Sequence, residues 1–180
     1  MKRRIAQAPD DMTRAAGIIP IASSTGRILL NRRGAGMDHA GKYAGWGGYA
    51  AMGETPIENA TREFHEESMY SGPLLLIPAY MQDYPHKTMT YETFIGIIPE
   101  EFEPQIDDES LGSEWMTMSQ LYADQGVEFH PEFEKVLVDI KSTLSDLMLK
   151  IGVLHEGNSL HSLYSHPVVV LTDGTIIAVD

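Results

Sequence analysis

The sequence contains no cysteine, which excludes disulfide bonds and zinc sites with cysteine ligands. It also lacks an apolar run long enough to cross a membrane, and the apolar core of a signal peptide. Basic residues are scarce: 13 lysines and arginines stand against 26 aspartates and glutamates, giving a formal net charge of −13. So acidic a surface repels nucleic acid and anionic lipid. These absences predict a cytoplasmic protein that binds neither nucleic acid polymers nor membranes.

What is present suffices for one well-buried domain. The chain has 180 residues, of which 43% are hydrophobic, enough for one principal core and too few for two full domains. We expect a tail at residues 1–12, a main domain at residues 13–150 and a C-terminal extension at residues 151–180. The basic run Lys2-Arg3-Arg4 is interpreted as part of the solvated tail.

Hydrophobic periodicity predicts both strands and helices. Runs rich in apolar and β-branched residues predict strands at Thr13–Ile21, Arg27–Leu30, Leu74–Tyr84, Thr88–Ile98 and Glu114–Met118. Residues 34–47 and 99–112 are predicted to be loops. Helices are expected from Pro56 to about Tyr70 and, as one long amphipathic segment, from near Pro131 to Gly152. This order predicts an α/β (α+β) fold, an α/β/α sandwich around a mixed β-sheet.

The end of the chain predicts a β-hairpin extension. Val168 to Leu171 and Thr175 to Val179 flank Thr172-Asp173-Gly174, and Asp-Gly tolerates the positive φ of a tight turn. Because a two-stranded hairpin alone is marginal in water, we expect it to pack on the core or on another subunit. The sequence leaves open whether it completes the sheet, covers the active site or forms a homodimer by strand addition.

The first predicted helix has a well-defined start. Thr55 can cap the helix, Pro56 suits its first position, and Glu58 completes a capping box. Farther along, Glu63, Glu66 and Glu67 follow the i, i+3, i+4 spacing that places side chains on one helix face.

Three carboxylates on one face repel one another, by roughly 0.2–0.5 kcal/mol per pair. A bound divalent cation would explain this arrangement, and carboxylate oxygens suit Mg²⁺ or Mn²⁺. The alternative is a solvated acidic face on which Arg62 pairs with Glu58 or Glu66.

The whole segment, GYAAMGETPIENATREFHEESMY, resembles the Nudix box, G-x5-E-x7-R-E-U-x-E-E-x-G-U, where U is a bulky apolar residue. The matching positions are Gly48, Glu54, Arg62, Glu63, Phe64, Glu66 and Glu67, with Tyr70 at the last apolar position. Met69 stands where the family has its second glycine, so we expect a changed helix exit with intact chemistry. The resemblance extends over roughly residues 13–140 and includes Trp46-Gly47-Gly48.

The resemblance implies a Nudix hydrolase, which cuts the pyrophosphate linkage of a nucleoside diphosphate derivative with Mg²⁺ or Mn²⁺. It further implies that Glu63, Glu66, Glu67 and the backbone carbonyl of Gly47 bind the metals. Arg62 would orient a glutamate and Glu54 would steady the preceding loop. Glycine at positions 47 and 48 permits the close backbone approach that this requires.

Other functional residues are less well specified. The general base is predicted to be Glu63 or Glu109, with Glu114 as the substitute. Of the pair Arg32-Arg33, Arg33 is favoured as a phosphate ligand, and Gly48 is placed with it in the substrate site. Trp46 is either a core aromatic or a wall of the substrate cleft.

For several tyrosines and histidines, a structural role is favoured over a functional one. For the tyrosines, cross-strand packing is favoured over base stacking. The histidines of the extension lack metal-ligand spacing, so they are predicted to bind no metal. These residues are Tyr80, Tyr84, Tyr91, His155, His161 and His166.

The resemblance identifies the reaction better than the substrate. A nucleoside triphosphate, as in MutT-like enzymes, is favoured. ADP-ribose is next, because some ADP-ribose-cleaving members of the family carry a proline about fifteen residues beyond the box, and Pro85 lies fifteen residues beyond Tyr70. The alternative function is a catalytically inactive Nudix-fold module that binds a nucleotide or regulates. The complete set of box acids favours the enzyme.

Overall fold

The computed structural model describes residues 13–106, 109–123, 126–154, 168–170 and 176–178. The strands are β1 (Thr13–Ala22), β2 (Ile28–Arg33), β3 (Tyr43–Ala44), β4 (Trp46–Tyr49), β5 (Leu74–Tyr84), β6 (Met89–Ile98), β7 (Ser110–Met116), β8 (Val168–Val170) and β9 (Ile176–Ala178). The helices are α1 (Pro56–Ser68), α2 (Met118–Tyr122), α3 (Pro131–Asp139) and α4 (Lys141–Leu154), with a 3₁₀ turn η1 (Pro85–Lys87).

The strands form one mixed sheet with β1 near its centre. The order is β3-β2-β1-β6-β5-β8-β9, with β4 also on β1 and β7 on β2. β1 pairs in parallel with β6 along its whole length and antiparallel with β2 and β4 on its other edge. β4 meets residues Ala15 to Ile18 and β2 meets Ile21, so the two strands share that edge in succession.

Both faces of the sheet are covered by helices. Ile18 on β1 packs in the cluster that contains Phe64 of α1, whereas its neighbour Ile19 packs in the cluster that contains Val136 of α3. Successive residues of a strand point to opposite faces, so β1 is apolar on both sides, as a doubly covered sheet requires. The predicted α/β/α sandwich with a mixed sheet is therefore confirmed.

The structure corrects several element boundaries. The loop expected at residues 34–47 contains β3 and the first residues of β4, and β7 begins at Ser110, before the expected start at Glu114. α2 was not predicted. The single long helix expected from Pro131 is two helices, α3 and α4, which meet at Ile140.

The predicted C-terminal strands extend the sheet. β8 pairs antiparallel with β9, and it also pairs antiparallel with β5, where Val170 lies opposite Leu74. The hairpin turn at residues 171–175, the tail at residues 1–12 and the three histidines of residues 155–167 lie outside the described residues. No helix in the described part of the chain is long and apolar enough to span a membrane.

Candidate active site

The helix that carries the carboxylates begins and ends at well-defined caps. Thr55 and Glu58 form the predicted capping box, in which the Thr55 amide donates to the Glu58 carboxylate at 2.8 Å. The helix ends at Ser68, and Met69 follows in the left-handed conformation with φ 58°. That conformation is the one glycine usually supplies at helix ends, so the changed exit expected at Met69 is not seen. The caps thus fix where α1 begins and where it ends.

One wall of a large cavity is formed by α1 and β4. The cavity has a volume of about 610 Å³, and Glu63, Glu67, Gly47 and Gly48 line it. Glu66 does not: its side chain is 56% exposed and contacts the Arg62 guanidinium at 2.8 Å. Two of the three predicted carboxylate ligands thus face the cavity, and the third lies beside it on the same helix.

Glycine is required where β4 meets the carboxylates. A Cβ atom at Gly48 would lie 2.7 Å from the Glu63 carboxylate, and one at Gly47 would lie 2.3 Å from the Ala16 carbonyl oxygen. The Gly47 amide donates to Glu67 Oε2 at 2.9 Å. The two glycines therefore let the β4 backbone lie directly against both acids.

Arg62 pairs with three of the acids around α1. Its guanidinium contacts Glu54 through Nε–Oε1 at 2.8 Å and Nη2–Oε2 at 3.0 Å, and it also contacts Glu66 and Glu63. A further hydrogen bond runs from Arg62 Nη2 to the Tyr49 carbonyl at 3.1 Å. Glu54 in turn accepts from the Ala51 amide at 2.8 Å. This network ties the loop before α1 to the helix.

The carboxylates differ in their electrostatic environment. The hydrogen bond from Arg62 holds the pKa of Glu54 below its ordinary value. Burial raises the pKa of Glu63, and the nearby charges of Glu66 and Glu54 raise it further, although Arg62 opposes both effects. Three carboxylates, of Glu54, Glu63 and Glu66, thus share a single guanidinium, and Glu67 lies nearby, which leaves an excess of negative charge that a divalent cation would balance. This donor set fits Mg²⁺ or Mn²⁺.

Arg33 and Glu109 line the same cavity. Arg33 Nε donates to the Asp38 carbonyl at 2.6 Å, and the Glu109 carbonyl accepts from the Gly34 amide at 2.6 Å. The alternatives lie elsewhere. Arg32 is exposed and donates to the Gly41 carbonyl, and Glu114 is exposed and accepts from the Tyr43 hydroxyl.

Trp46 does not reach the cavity. Its side chain is 0% exposed, its indole Nε1 donates to the Leu29 carbonyl at 3.2 Å, and its ring packs against Phe64 at 5.9 Å. Because Trp46 is surrounded by the core beneath α1, the structure corrects the substrate-binding role expected for it. The alternative interpretation, a core aromatic, describes its position.

Two of the three candidate tyrosines line the cavity, Tyr84 and Tyr91, whereas Tyr80 does not. The Tyr91 hydroxyl lies so close to β1 and β4 that a Cβ atom at Gly17 would be 2.2 Å from it. Burial raises the pKa of the Tyr91 phenol, and the carboxylates of Glu67 and Glu63 add to that rise. Tyr91 therefore stays neutral next to the acids.

Asp38, His39 and His130 form a second cluster of metal-ligand type, with candidate ligand atoms within 4.8 Å of one another. His130 caps α3, and its Nδ1 accepts from the Glu132 amide at 3.2 Å. Burial lowers the pKa of His130, and the charge of Arg33 contributes to that lowering. Asp38 and His39 are exposed, whereas Glu63 and Glu67 are partly buried at the cavity, so the carboxylates of α1 form the better metal site.

Sequence reasoning missed the polar residues that other elements bring to this cavity. Asn31, Asp38 and His130 all line it. Of these three residues, only Asn31 could have been noticed in the sequence, because it is a polar residue directly after the apolar run Ile28-Leu29-Leu30. The positions of Asp38 and His130 depend on how the loop after β2 and the start of α3 meet, which no local pattern encodes.

Comparisons with known proteins agree with this geometry. A sequence profile of the NUDIX domain matches residues 11–137. No curated protein matches the chain significantly.

Several solved structures share the fold. A NUDIX hydrolase from Nitrosomonas europaea aligns with a TM-score of 0.57 and 20% identity over 83% of this chain and 76% of its own. A MutT/nudix family protein from Enterococcus faecalis gives 0.61 and 11% over 82% and 70%. An Ap4A hydrolase from C. elegans gives 0.56 and 16% over 73% and 98%. At these identities the similarity establishes the fold alone.

Proposed function

The chain belongs to the NUDIX domain family, and from this premise we propose that it is a metal-dependent pyrophosphohydrolase acting on a nucleoside diphosphate derivative. One observation carries the proposal: Glu63 and Glu67 line a cavity of about 610 Å³, held there by the backbone of Gly47 and Gly48. A cavity of this volume accommodates a nucleotide-sized ligand.

The proposed metal site consists of Glu63, Glu66, Glu67 and the Gly47 carbonyl, with Mg²⁺ or Mn²⁺ as the ion. When bound, such ions neutralise pyrophosphate oxygens and lower the pKa of a bound water. Glu66 lies one turn from Glu63 on the same helix face and belongs to the set, although Arg62 holds it in this structure.

The remaining roles follow from position. Arg62 and Glu54 are positioning residues, because their mutual ion pair fixes the loop that leads into α1. Arg33 can bind a substrate phosphate through its guanidinium at the cavity. Glu63 and Glu109 both stay candidates for the general base, since both line the cavity. Glu114 is dropped, because it contacts Tyr43 outside the cavity.

For the substrate, a nucleoside triphosphate comes first. One similar structure is named as a MutT/nudix family protein, which supports this choice. Another is named as an Ap4A hydrolase, which keeps dinucleoside polyphosphates among the candidates. ADP-ribose is second: Pro85 lies exposed at the start of η1, the place of an ordinary turn proline. Cytoplasmic location and a homodimer stay predictions.

The experiment is a substrate panel with Mg²⁺ and product identification. Nucleoside triphosphates, ADP-ribose, dinucleoside polyphosphates and nucleotide sugars would be incubated with the full chain. We expect cleavage within the phosphate chain, releasing pyrophosphate or two monophosphate products. Inertness toward every member would overturn the proposal and leave the inactive binding module.

Glu67→Gln distinguishes metal chemistry from adventitious activity. The amide keeps the size of the side chain but removes its charge, so we expect kcat to fall by about 10²-fold or more with an unchanged circular dichroism spectrum. Glu103→Gln is the matched control, because Glu103 is exposed and outside the cavity. Equal turnover in wild type and Glu67→Gln would contradict the metal assignment.

A further inference from the structure

A tyrosine hydroxyl reaches the proposed metal site from across β1. Tyr91 on β6 pairs with Ala15 of β1, and β4 lies on the other edge of β1. The hydroxyl oxygen nevertheless lies beside β4, because a Cβ atom at Gly47 would be 2.8 Å from it. Gly17 makes this reach possible, since a side chain there would collide with the same oxygen. The ring thus crosses β1 and brings its hydroxyl next to the backbone that holds Glu67.

Among the described residues, the Tyr91 hydroxyl has no hydrogen-bond partner. It is also not one of the unpartnered side-chain oxygens that are fully buried in this part of the chain. Those oxygens belong to Ser24, Asn31, Asn59 and Ser110. The Tyr91 oxygen is therefore open to the cavity that its side chain lines, and its hydrogen is available to a ligand.

The polar side chains that line the cavity differ in what they offer a ligand. The carboxylates of Glu63 and Glu67 only accept hydrogen bonds. Gln82 also lines the cavity, but its Nε2 donates to Glu132 Oε2 at 2.6 Å. A phenol is protonated at neutral pH, so Tyr91 adds a free donor that carries no charge.

The position of this donor indicates which part of a nucleotide it meets. In the proposed function, the pyrophosphate group of the substrate lies against the α1 acids and the Gly47 carbonyl, and the hydroxyl lies beside Gly47. Phosphate oxygens are strong acceptors, and a hydrogen bond to a charged oxygen is stronger than one to a neutral oxygen. The acceptor that suits Tyr91 is therefore an oxygen of the phosphate chain.

Resting on the proposed function, we propose that Tyr91 is a catalytic residue whose hydroxyl donates a hydrogen bond to a pyrophosphate oxygen of the substrate. Such a bond stabilises most where negative charge builds up during cleavage. Because the hydroxyl is neutral, it does not compete with a metal ion for the carboxylates. Arg62, which forms an ion pair with Glu63, does compete in this way.

Tyr91→Phe removes the hydroxyl and keeps the ring. With Mg²⁺ present, we expect kcat/KM for the best substrate of the panel to fall by about 10- to 100-fold, the effect of losing one hydrogen bond to a charged group. Mg²⁺ affinity, measured by isothermal titration without substrate, should not change, because the hydroxyl contacts the substrate. An unchanged kcat/KM would overturn the inference. An equal loss of Mg²⁺ affinity would also overturn it, because Tyr91 would then act by positioning the acids.

A second measurement does not depend on hydrolysis. Methylenediphosphonate resembles pyrophosphate, but its P–C–P bridge cannot be hydrolysed. With Mg²⁺ present, we expect it to bind the full-length Tyr91→Phe variant about tenfold more weakly than wild type, or weaker still. If no substrate is cleaved but this difference is found, the proposed function fails and the contact with the pyrophosphate group stands. Equal affinities, or no binding to wild type, would overturn the inference.

Tyr80→Phe is the matched control. Tyr80 lies on the neighbouring strand β5, its hydroxyl contacts Asp139 of α3, and it does not line the cavity. We expect wild-type kcat/KM and wild-type affinity for methylenediphosphonate in this variant. A loss as large as that in Tyr91→Phe would show that activity responds to the removal of any tyrosine hydroxyl from the sheet, and the assignment to Tyr91 would fail.

Discussion

The absence of a side chain at Gly48 leaves room for the Glu63 carboxylate. The Glu63 carboxylate occupies the space where a Cβ atom at residue 48 would be, at 2.7 Å. The obstructing atoms are the far end of a flexible side chain, so Gly48→Ala would displace the carboxylate without forcing the backbone to move.

We therefore expect Gly48→Ala to weaken Mg²⁺ binding and kcat by about 10- to 100-fold with little change in Tm, as for residues that orient metal ligands. Isothermal titration with Mg²⁺ and a thermal melt would measure the two effects. Gly36→Ala is the control, since a Cβ atom there meets nothing within 4 Å. Full Mg²⁺ affinity in Gly48→Ala would count against Glu63 as a ligand.

The sequence predicted the charged residues of the site better than its polar ones. Glu63, Glu66 and Glu67 are close in sequence and lie on one helix, so helical spacing alone brings them together. Asn31 and His130 come from distant elements, and no spacing rule relates them. Trp46 illustrates the same limit, because whether a strand residue faces a core or a cavity depends on which face another element covers.

Among the elements, the β1–β2 turn and the segment after β6 are joined by ion pairing. Arg27 Nε donates to Glu101 Oε1 at 2.7 Å, Arg27 Nη2 contacts the other carboxylate oxygen, and Thr25 also donates to Glu101. Burial alone would raise the pKa of Glu101, but its bonds to Arg27 and Thr25 outweigh this and lower it.

A lowered pKa in the folded state stabilises the protein above the ordinary glutamate pKa, and the stabilisation is lost as pH falls through the lowered value. Glu101→Gln should therefore cost up to about 1 kcal/mol at pH 7, a limit set by the partial exposure of the pair, and almost nothing in strong acid. Urea denaturation across this pH range measures the difference. The exposed neighbour Glu100 offers a control in Glu100→Gln. A pH-independent difference would rule out the ion pair as its cause.

The boundary between α3 and α4 shows why one long helix was expected. The Ile140 amide still donates to the Val136 carbonyl at 2.9 Å, and the Leu144 amide donates to the Ile140 carbonyl at 2.9 Å. Only the backbone of Ile140, with ψ 2°, departs from the helix. No proline or glycine stands at this point, so neither composition nor periodicity marks the bend.

For the whole molecule, the sandwich could be predicted from the order of strands and helices along the chain. The attachment of the C-terminal hairpin could not. Its alternating pattern predicts two strands but not the edge that they join, and the structure places β8 on β5.

A chain ending at Gly152 tests what this pairing contributes. It removes the partner of Leu74, Leu75 and Leu76, and net hydrogen-bond contributions of about 1 kcal/mol each predict a Tm lower by several degrees with the active site intact. Thermal melts, turnover and the mass in solution would be compared with the full chain. An unchanged number of subunits supports sheet completion, a change from dimer to monomer reveals a homodimer, and an unchanged Tm would contradict a stabilising role.

The contacts of Arg62 make the arrangement of the acids independent of a bound ion. Its guanidinium already neutralises part of the charge of Glu54, Glu63 and Glu66, so α1 needs no bound ion to hold its acids together. On the proposed function, a divalent ion would bind to carboxylates that are already in place and would compete for them with the Arg62 guanidinium. We therefore expect removal of divalent ions to abolish turnover while the protein stays folded.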